Sequence, residues 1–179
     1  MEDEFVRIRI AKPGDAAGIA KVHVDAWRTT YDGILPQEFL NRLDYGNRTN
    51  LWLENLKTDT IFVAVNTKEE IVGFATGGHK KSQGYYDFQG ELYAIYILEE
   101  FQGMAIGRKL LNRIVEYLKT LQINSMLVLV LKENPAIQFY HAMCAQKIDS
   151  LTIRIADTTV EEEVYGWNNL ENLHKRGIR

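Results

Sequence analysis

One cysteine, Cys144, is present in 179 residues, so no intrachain disulfide can form and no zinc site can be built from several thiolates. Such usage points to a reducing cytosol, and no metal is expected. A basic excess is also missing. Lysine and arginine number 21 against 24 aspartates and glutamates, for a net charge of −3, which argues against nucleic acid as a partner, because dedicated binders neutralise phosphates with clustered cations. No apolar run approaches the ~18 residues of a membrane span, and the opening MEDEFVRIRI is acidic before it alternates, unlike a signal peptide. No membrane partner is expected either. No internal repeat, low-complexity tract or linker divides the chain. With 46% hydrophobic residues it is long enough to bury a full core and too short for two complete domains, so residues 1–179 read as one.

What is present is organised around Glu91 to Leu111, ELYAIYILEEFQGMAIGRKLL, where an apolar strand runs through a glycine-containing turn into an amphipathic helix. The turn QGMAIG sets small residues, Gly103, Ala105 and Gly107, where backbone N–H groups can approach an anion unobstructed. Such amides at a helix N-terminus favour phosphate. After the turn, Ile106, Leu110, Ile114, Leu118 and Leu121 recur at helical spacing, which predicts a core-packing helix of about four turns. Local physics therefore gives a site for some phosphorylated ligand. A dinucleotide-binding Rossmann sheet fits poorly, because GxGxxG is absent and several strands precede the turn without strand-helix alternation.

Phe5 to Ile10 alternates and reads as a half-buried strand ending before Pro13-Gly14. Asp15 then starts a helix whose stripe of Ile19, Val22, His23, Ala26, Trp27 and Thr30 carries it to near Tyr31. His23 reads as a core histidine bonded to a neighbour, since no acidic or nucleophilic partner is visible, and Trp27 and Tyr31 read as packing residues. Pro36 to Leu43 and Asn47 to Leu56 carry short helical patterns suited to one wall of a pocket. Ile61 to Val65 and Ile71 to Thr76 predict a β-hairpin, with Gly73 marking a bulge or a close backbone approach. Gly77 to Gly90 is placed as a mobile surface loop. Met126 to Leu131 is apolar throughout, as in a strand covered on both faces with a parallel neighbour, so it completes a βαβ unit with the strand ending at Ile97. Asn134-Pro135 opens a short helix carrying Phe139 and Tyr140. Gln146 to Ile155 and Thr159 to Trp167 close the chain as a hairpin, and the basic tail His174 to Arg179 is expected to fray.

Taken together, this element order and the segments FQGMAIG and ENPAIQFYHAMCAQKI resemble the GNAT superfamily of acyl-CoA-dependent N-acyltransferases, over nearly the whole chain. The first segment is similar to that family's pyrophosphate loop and the second to its NxxAxxFY segment, while WRTTYDGILPQEFL is similar to an acceptor-side helix and turn. The resemblance implies an α/β (mixed α+β) fold with a central, mixed, mostly antiparallel sheet of six or seven strands, one splayed parallel pair and flanking helices. It implies acetyl-CoA as co-substrate. The backbone of Gln102, Gly103, Met104, Ala105, Ile106, Gly107 and Arg108 would cradle the pyrophosphate, Ile95, Tyr96 and Ile97 would run beside the pantetheine, and Asn134 and Tyr140 would face the cofactor arm.

The same resemblance implies acetyl transfer to a primary amine (a small molecule, a polyamine or a peptide N-terminus) by direct attack in a ternary complex. That chemistry needs a proton acceptor, an oxyanion donor and a proton donor for the leaving thiolate. Glu91 matches the general-base position, a backbone N–H near Ile97 the oxyanion donor, and Tyr140 the general acid, because a phenol of reference pKa about 10 stays protonated at neutral pH. Without the resemblance, Tyr140 reads as a core aromatic beside Phe139 and Glu91 as an exposed carboxylate. Ala105 stands where the family more often has glycine, Glu99-Glu100 where a proline is common, and Cys144-Ala145 where a glycine-led exit is usual. Cys144 reads as structural. The alternative is a catalytically silent acyl-CoA-binding module on the same fold. The aromatic run VYGW offers an edge for a homodimer.

Overall fold

The computed structural model describes residues 5–175. Strand β1 (Val6–Ile10) leads into α1 (Ala16–Thr30), α2 (Gln37–Asn41) and α3 (Tyr45–Asn55). Next come β2 (Ile61–Asn66), β3 (Ile71–His79), β4 (Gly90–Ile97), α4 (Ile106–Thr120) and β5 (Met126–Leu131). The chain ends with α5 (Ala136–Ala142), β6 (Gln146–Ile155), β7 (Thr158–Trp167) and α6 (Glu171–Lys175). The seven strands form one sheet in the order β1-β2-β3-β4-β5-β7-β6. Every neighbouring pair is antiparallel except β4 with β5. This is the expected mixed sheet, and it leaves no room for a doubly wound parallel one.

The two long helices cover opposite faces. In α4 the stripe Ile106, Leu110, Ile114 and Leu118 is buried at helical spacing, as is Ile19, Val22, His23 and Ala26 in α1. On β4, Tyr96 stacks on His23 of α1 at 5.5 Å, whereas the next residue, Ile97, packs at Gly107 of α4. Successive residues of a strand point to opposite faces, so α1 and α4 sandwich the sheet. Trp52 of α3 meets Phe74 at 4.9 Å and donates to His23, which places α3 beside α1. The expected helix start at Asp15 is met, but its carboxylate turns back from the helix. It accepts two hydrogen bonds from the Arg9 guanidinium (2.6 and 2.9 Å) and one from the Lys12 N–H (2.8 Å), tying the end of β1 to the start of α1.

Gly73 shows both anticipated features. The β2–β3 register slips beside it, and a Cβ on it would lie 3.1 Å from the Tyr96 carbonyl oxygen. Strand β3 runs on to His79, so the anticipated loop shortens to residues 80–89. The β6–β7 hairpin turns at Ala156 and Asp157, whose positive φ angles of 49° and 60° match a two-residue turn that follows the strands' twist. VYGW is not an edge: β7 lies between β5 and β6, and Val164, Tyr165 and Trp167 are buried. Strand β6 takes the outer position instead. Of the basic tail, residues 176–179 lie outside the described part of the chain. Among the described residues no helix is long and apolar enough to cross a membrane.

Candidate active site

Strands β4 and β5 pair only at Gly90 with Met126 and Glu91 with Leu127. Gly90 draws them together: a Cβ there would lie 2.9 Å from the Ser125 carbonyl oxygen. A bulge follows, because Thr76 pairs with Ala94 and Gly77 with Leu92, leaving Tyr93 as an extra residue, and a bulge bends the strand that carries it. Past this point residues 92–97 pair only with β3, so the edge of β4 facing β5 keeps open backbone groups in mid-sheet. A cavity of ≈ 560 Å³ occupies the gap. Ile95, Tyr96, Ile97, Gln102, Gly103, Gly107, Asn134 and Tyr140 line it. Glu91, Met104, Ala105, Ile106 and Arg108 are outside its lining.

At one mouth stands the turn between β4 and α4. Gly103 and Ala105 take left-handed backbone (φ 76° and 57°), and left-handed residues set among ordinary ones make concave runs of N–H groups that suit anions. A Cβ on Gly103 would meet nothing within 4 Å, so the concavity is open. Ile106 is buried in the core and offers a ligand only its main chain. The Gln102 side-chain amide donates to the Ile97 carbonyl (3.3 Å), fastening the turn to the end of β4. Gly107 is small because the Phe139 ring would lie 3.2 Å from a Cβ there. Glu99 also lines this mouth, so one carboxylate does stand near the amide turn.

Aromatic side chains dominate the middle. Tyr140 is buried among Phe139, Tyr165 and Trp167, and no described residue hydrogen-bonds to its hydroxyl. Burial, and then Tyr96, hold its pKa well above the ordinary phenol range. Asn134 accepts from the Ala136 N–H (2.8 Å) and donates to the Tyr31 hydroxyl (3.3 Å). Trp27 and Tyr31, read from the sequence as packing residues, both line the cavity. The Trp27 indole Nε1 is the one buried side-chain polar atom without a partner among the described residues. Helices α2 and α3 do not form this wall, which comes from the last turn of α1. His23 sits one layer behind Tyr96. Its Nδ1 accepts from Trp52 Nε1 (3.0 Å), and burial, helped by Arg48, lowers its pKa to about 4, so it is neutral as a core histidine should be.

Two carboxylates on β4 and β7 differ in kind. Glu91 is buried, and its Oε2 accepts from the Lys81 N–H (2.8 Å), the Ser82 N–H (2.8 Å) and the Ser82 hydroxyl (3.0 Å). It pins the 80–89 loop across the sheet. Glu162 of β7 was not singled out from the sequence, yet it lines the cavity. Burial, then the charge of Glu91, raise its pKa. The only sequence signal was the triplet Glu161-Glu162-Glu163, in which strand alternation sends the middle residue to the other face.

A parallel strand pair thus opens into a cavity with an amide-rich turn at one mouth and the Glu162 carboxylate in its lining, the site of an enzyme of the acyl-transfer class to which the family match assigns the chain. The chain belongs to the acetyltransferase (GNAT) family, whose model matches residues 20–145, and it is an N-acetyltransferase by that membership. It is 40% identical over 169 residues to the uncharacterized N-acetyltransferase YuaI of Bacillus subtilis, covering 94% of this chain and 96% of that relative. Its fold is similar to PaiA N-acetyltransferase from Thermoplasma acidophilum in complex with coenzyme A (18% identity, 88% of this chain and 97% of the other, TM-score 0.65). It is also similar to the putative acetyltransferase YncA from Salmonella typhimurium with its cofactor acetyl-CoA (18% identity, 90% and 92%, TM-score 0.67). A GCN5-related N-acetyltransferase from Rhodopseudomonas palustris shares the fold at TM-score 0.72, with 15% identity over 93% and 97% of the chains.

Proposed function

We propose that the protein transfers the acetyl group of acetyl-CoA to a primary amine by direct attack within a ternary complex. The carrying observation is that the β4–β5 gap joins an open turn of left-handed residues at Gly103 and Ala105 to a cavity walled by Tyr140. The open concavity fits a pyrophosphate on the backbone of residues 102–108, and the unpaired edge of Ile95, Tyr96 and Ile97 fits an amide-bearing arm. The coenzyme A and acetyl-CoA complexes of the similar folds support the same ligand here. Acetyl-CoA supplies a thioester whose carbonyl the amine attacks.

The chain's own residues then have separable tasks. A β4 N–H near Ile97 donates to the developing oxyanion. Asn134 faces the cofactor arm beside the Tyr31 hydroxyl. Tyr140 donates its hydroxyl proton toward the leaving sulfur. Because burial makes its phenolate costly, Tyr140 gives up that proton only as it gains one from the positively charged amine nitrogen, so a free tyrosinate does not form. Glu91 acts at one remove, since its Oε2 is occupied by the loop. The test is thiol release from acetyl-CoA in the presence of polyamines, amino acids, aminoglycosides and N-terminal peptides. Turnover with at least one amine is expected; acetyl-CoA binding without turnover by any would instead make the protein a silent acyl-CoA-binding module.

A further inference from the structure

We propose that Glu162 is the residue that receives the acceptor: its carboxylate binds the incoming ammonium inside the cavity and takes its proton. This deepens the acetyltransferase reading and rests on it. The strand register places Glu162 where an acceptor must come. Glu162 pairs with Leu131, and Glu91 pairs with Leu127 on the same strand. Leu127 and Leu131 are four residues apart on β5 and therefore share a face, so the two carboxylates leave the same face of the sheet from either side of β5. That face is opposite the one carrying α4 and the amide turn.

Its neighbours show why the middle glutamate of the triplet differs. Glu161 is ion-paired with Lys132, and Glu163 with Lys147 while it also accepts from the Tyr165 hydroxyl. Glu162 makes no ion pair or hydrogen bond with any described residue, although it is partly buried. A half-buried carboxylate left without a cation is costly unless a cation arrives. The titratable groups facing it are Glu91 from β4 and Tyr85 from the 80–89 loop, and the Tyr85 hydroxyl donates to Asp149 of β6. Leu131 and Leu151 flank it from β5 and β6. Burial, and after it the charge of Glu91, raise the proton affinity of Glu162, and that charge also favours a cation, which suits a base.

The step balances. The alkylammonium gives one N–H proton to the Glu162 carboxylate, and the freed nitrogen lone pair forms the C–N bond at the thioester carbonyl. As the C–S bond breaks, the second N–H proton passes through the Tyr140 hydroxyl to the sulfur. Glu162 returns its proton to solvent. Glu91 is then a positioning residue that holds the loop and sets the proton affinity of Glu162 by charge.

Glu162→Gln should lower kcat/KM for the accepted amine by ~100-fold or more, with acetyl-CoA affinity and the melting temperature not reduced. Glu162→Asp should recover part of that loss. The acidic limb of the kcat/KM profile should vanish in Glu162→Gln and move to lower pH in Glu91→Gln, where a like charge is gone. Glu161→Gln, on the other face, is the control and should match wild type. A weakly basic amine, already neutral at pH 7, should lose less than an alkylammonium. A Glu162→Gln enzyme with the wild-type rate, or a Glu91→Gln profile that loses the limb altogether, overturns the assignment while leaving the acetyltransferase reading intact. If the wild-type protein binds acetyl-CoA but turns over no amine, both fall.

Discussion

The side-chain amide of Asn134, just ahead of α5, donates a hydrogen bond of 3.3 Å to the Tyr31 hydroxyl at the end of α1. The two residues are 103 positions apart in sequence, and their helices lie on opposite faces of the sheet. The contact closes the frame around the gap where β5 and β4 have separated. Removing the hydroxyl in Tyr31→Phe leaves a buried amide N–H unpaired, which should cost about 1–2 kcal/mol in urea unfolding. It should also raise KM for acetyl-CoA more than it lowers kcat; an unchanged KM would mean that the frame does not shape the cofactor wall.

Tyr140→Phe keeps the ring that packs on Trp167 and removes only the hydroxyl of this cavity-lining residue. Turnover should drop by about 100-fold, the lower end of what a positioned proton donor contributes, while acetyl-CoA affinity stays near wild type. Steady-state kinetics with titration calorimetry separates the two quantities, and a wild-type kcat would return Tyr140 to the core.

His23 is neutral in the folded protein, with its pKa lowered to about 4 by burial and Arg48, whereas in the unfolded chain it titrates near 6.5. The unfolded state therefore binds the extra proton first, and stability that is complete above pH 6.5 is lost as pH falls toward 4. The full depression corresponds to roughly 3 kcal/mol. Urea midpoints measured from pH 7.5 down to 4.5 should fall, and His23→Gln should flatten that slope; a slope unchanged in the variant would assign it to other groups.

Asp15 behaves in the same direction at lower pH. The Arg9 guanidinium holds its carboxyl below the usual range, so its contribution is present above the unfolded pKa and disappears as pH drops through the folded one. Asp15→Asn should cost about 1–3 kcal/mol at pH 7, since it breaks charge-assisted hydrogen bonds to Arg9. The difference from wild type should shrink in acid unfolding below pH 4.

Ala105 carries a left-handed backbone (φ 57°) immediately before α4, a conformation that costs a residue with a Cβ about 1 kcal/mol. Ala105→Gly relieves that strain but frees the unfolded chain, so the expected net gain is a few tenths to 1 kcal/mol. Chemical denaturation measures it, and a loss of stability would show that the methyl group makes a contact the turn needs.

Much of the fold was legible because its signals are local. The α4 stripe, the apolar MLVLVL strand and the turn residues each follow from periodicity or backbone preference over a few residues, and the combination of QGMAIG with NPAIQFY marked the family. The period-two rule also contained the separation of Glu162 from its neighbours, but nothing local said which face would become a cavity wall. That depends on β7 slipping between β5 and β6, a pairing of residues more than thirty positions apart. For the same reason VYGW read as an edge while the sheet buried it, and Trp27 and Tyr31 read as packing while the splay of β4 exposed them to the gap. Glu91 could be placed on its strand from sequence. That its oxygen would be taken by Lys81 and Ser82 was decided by the fold of the loop, because hydrogen-bond partners across a sheet leave no periodic trace in the chain.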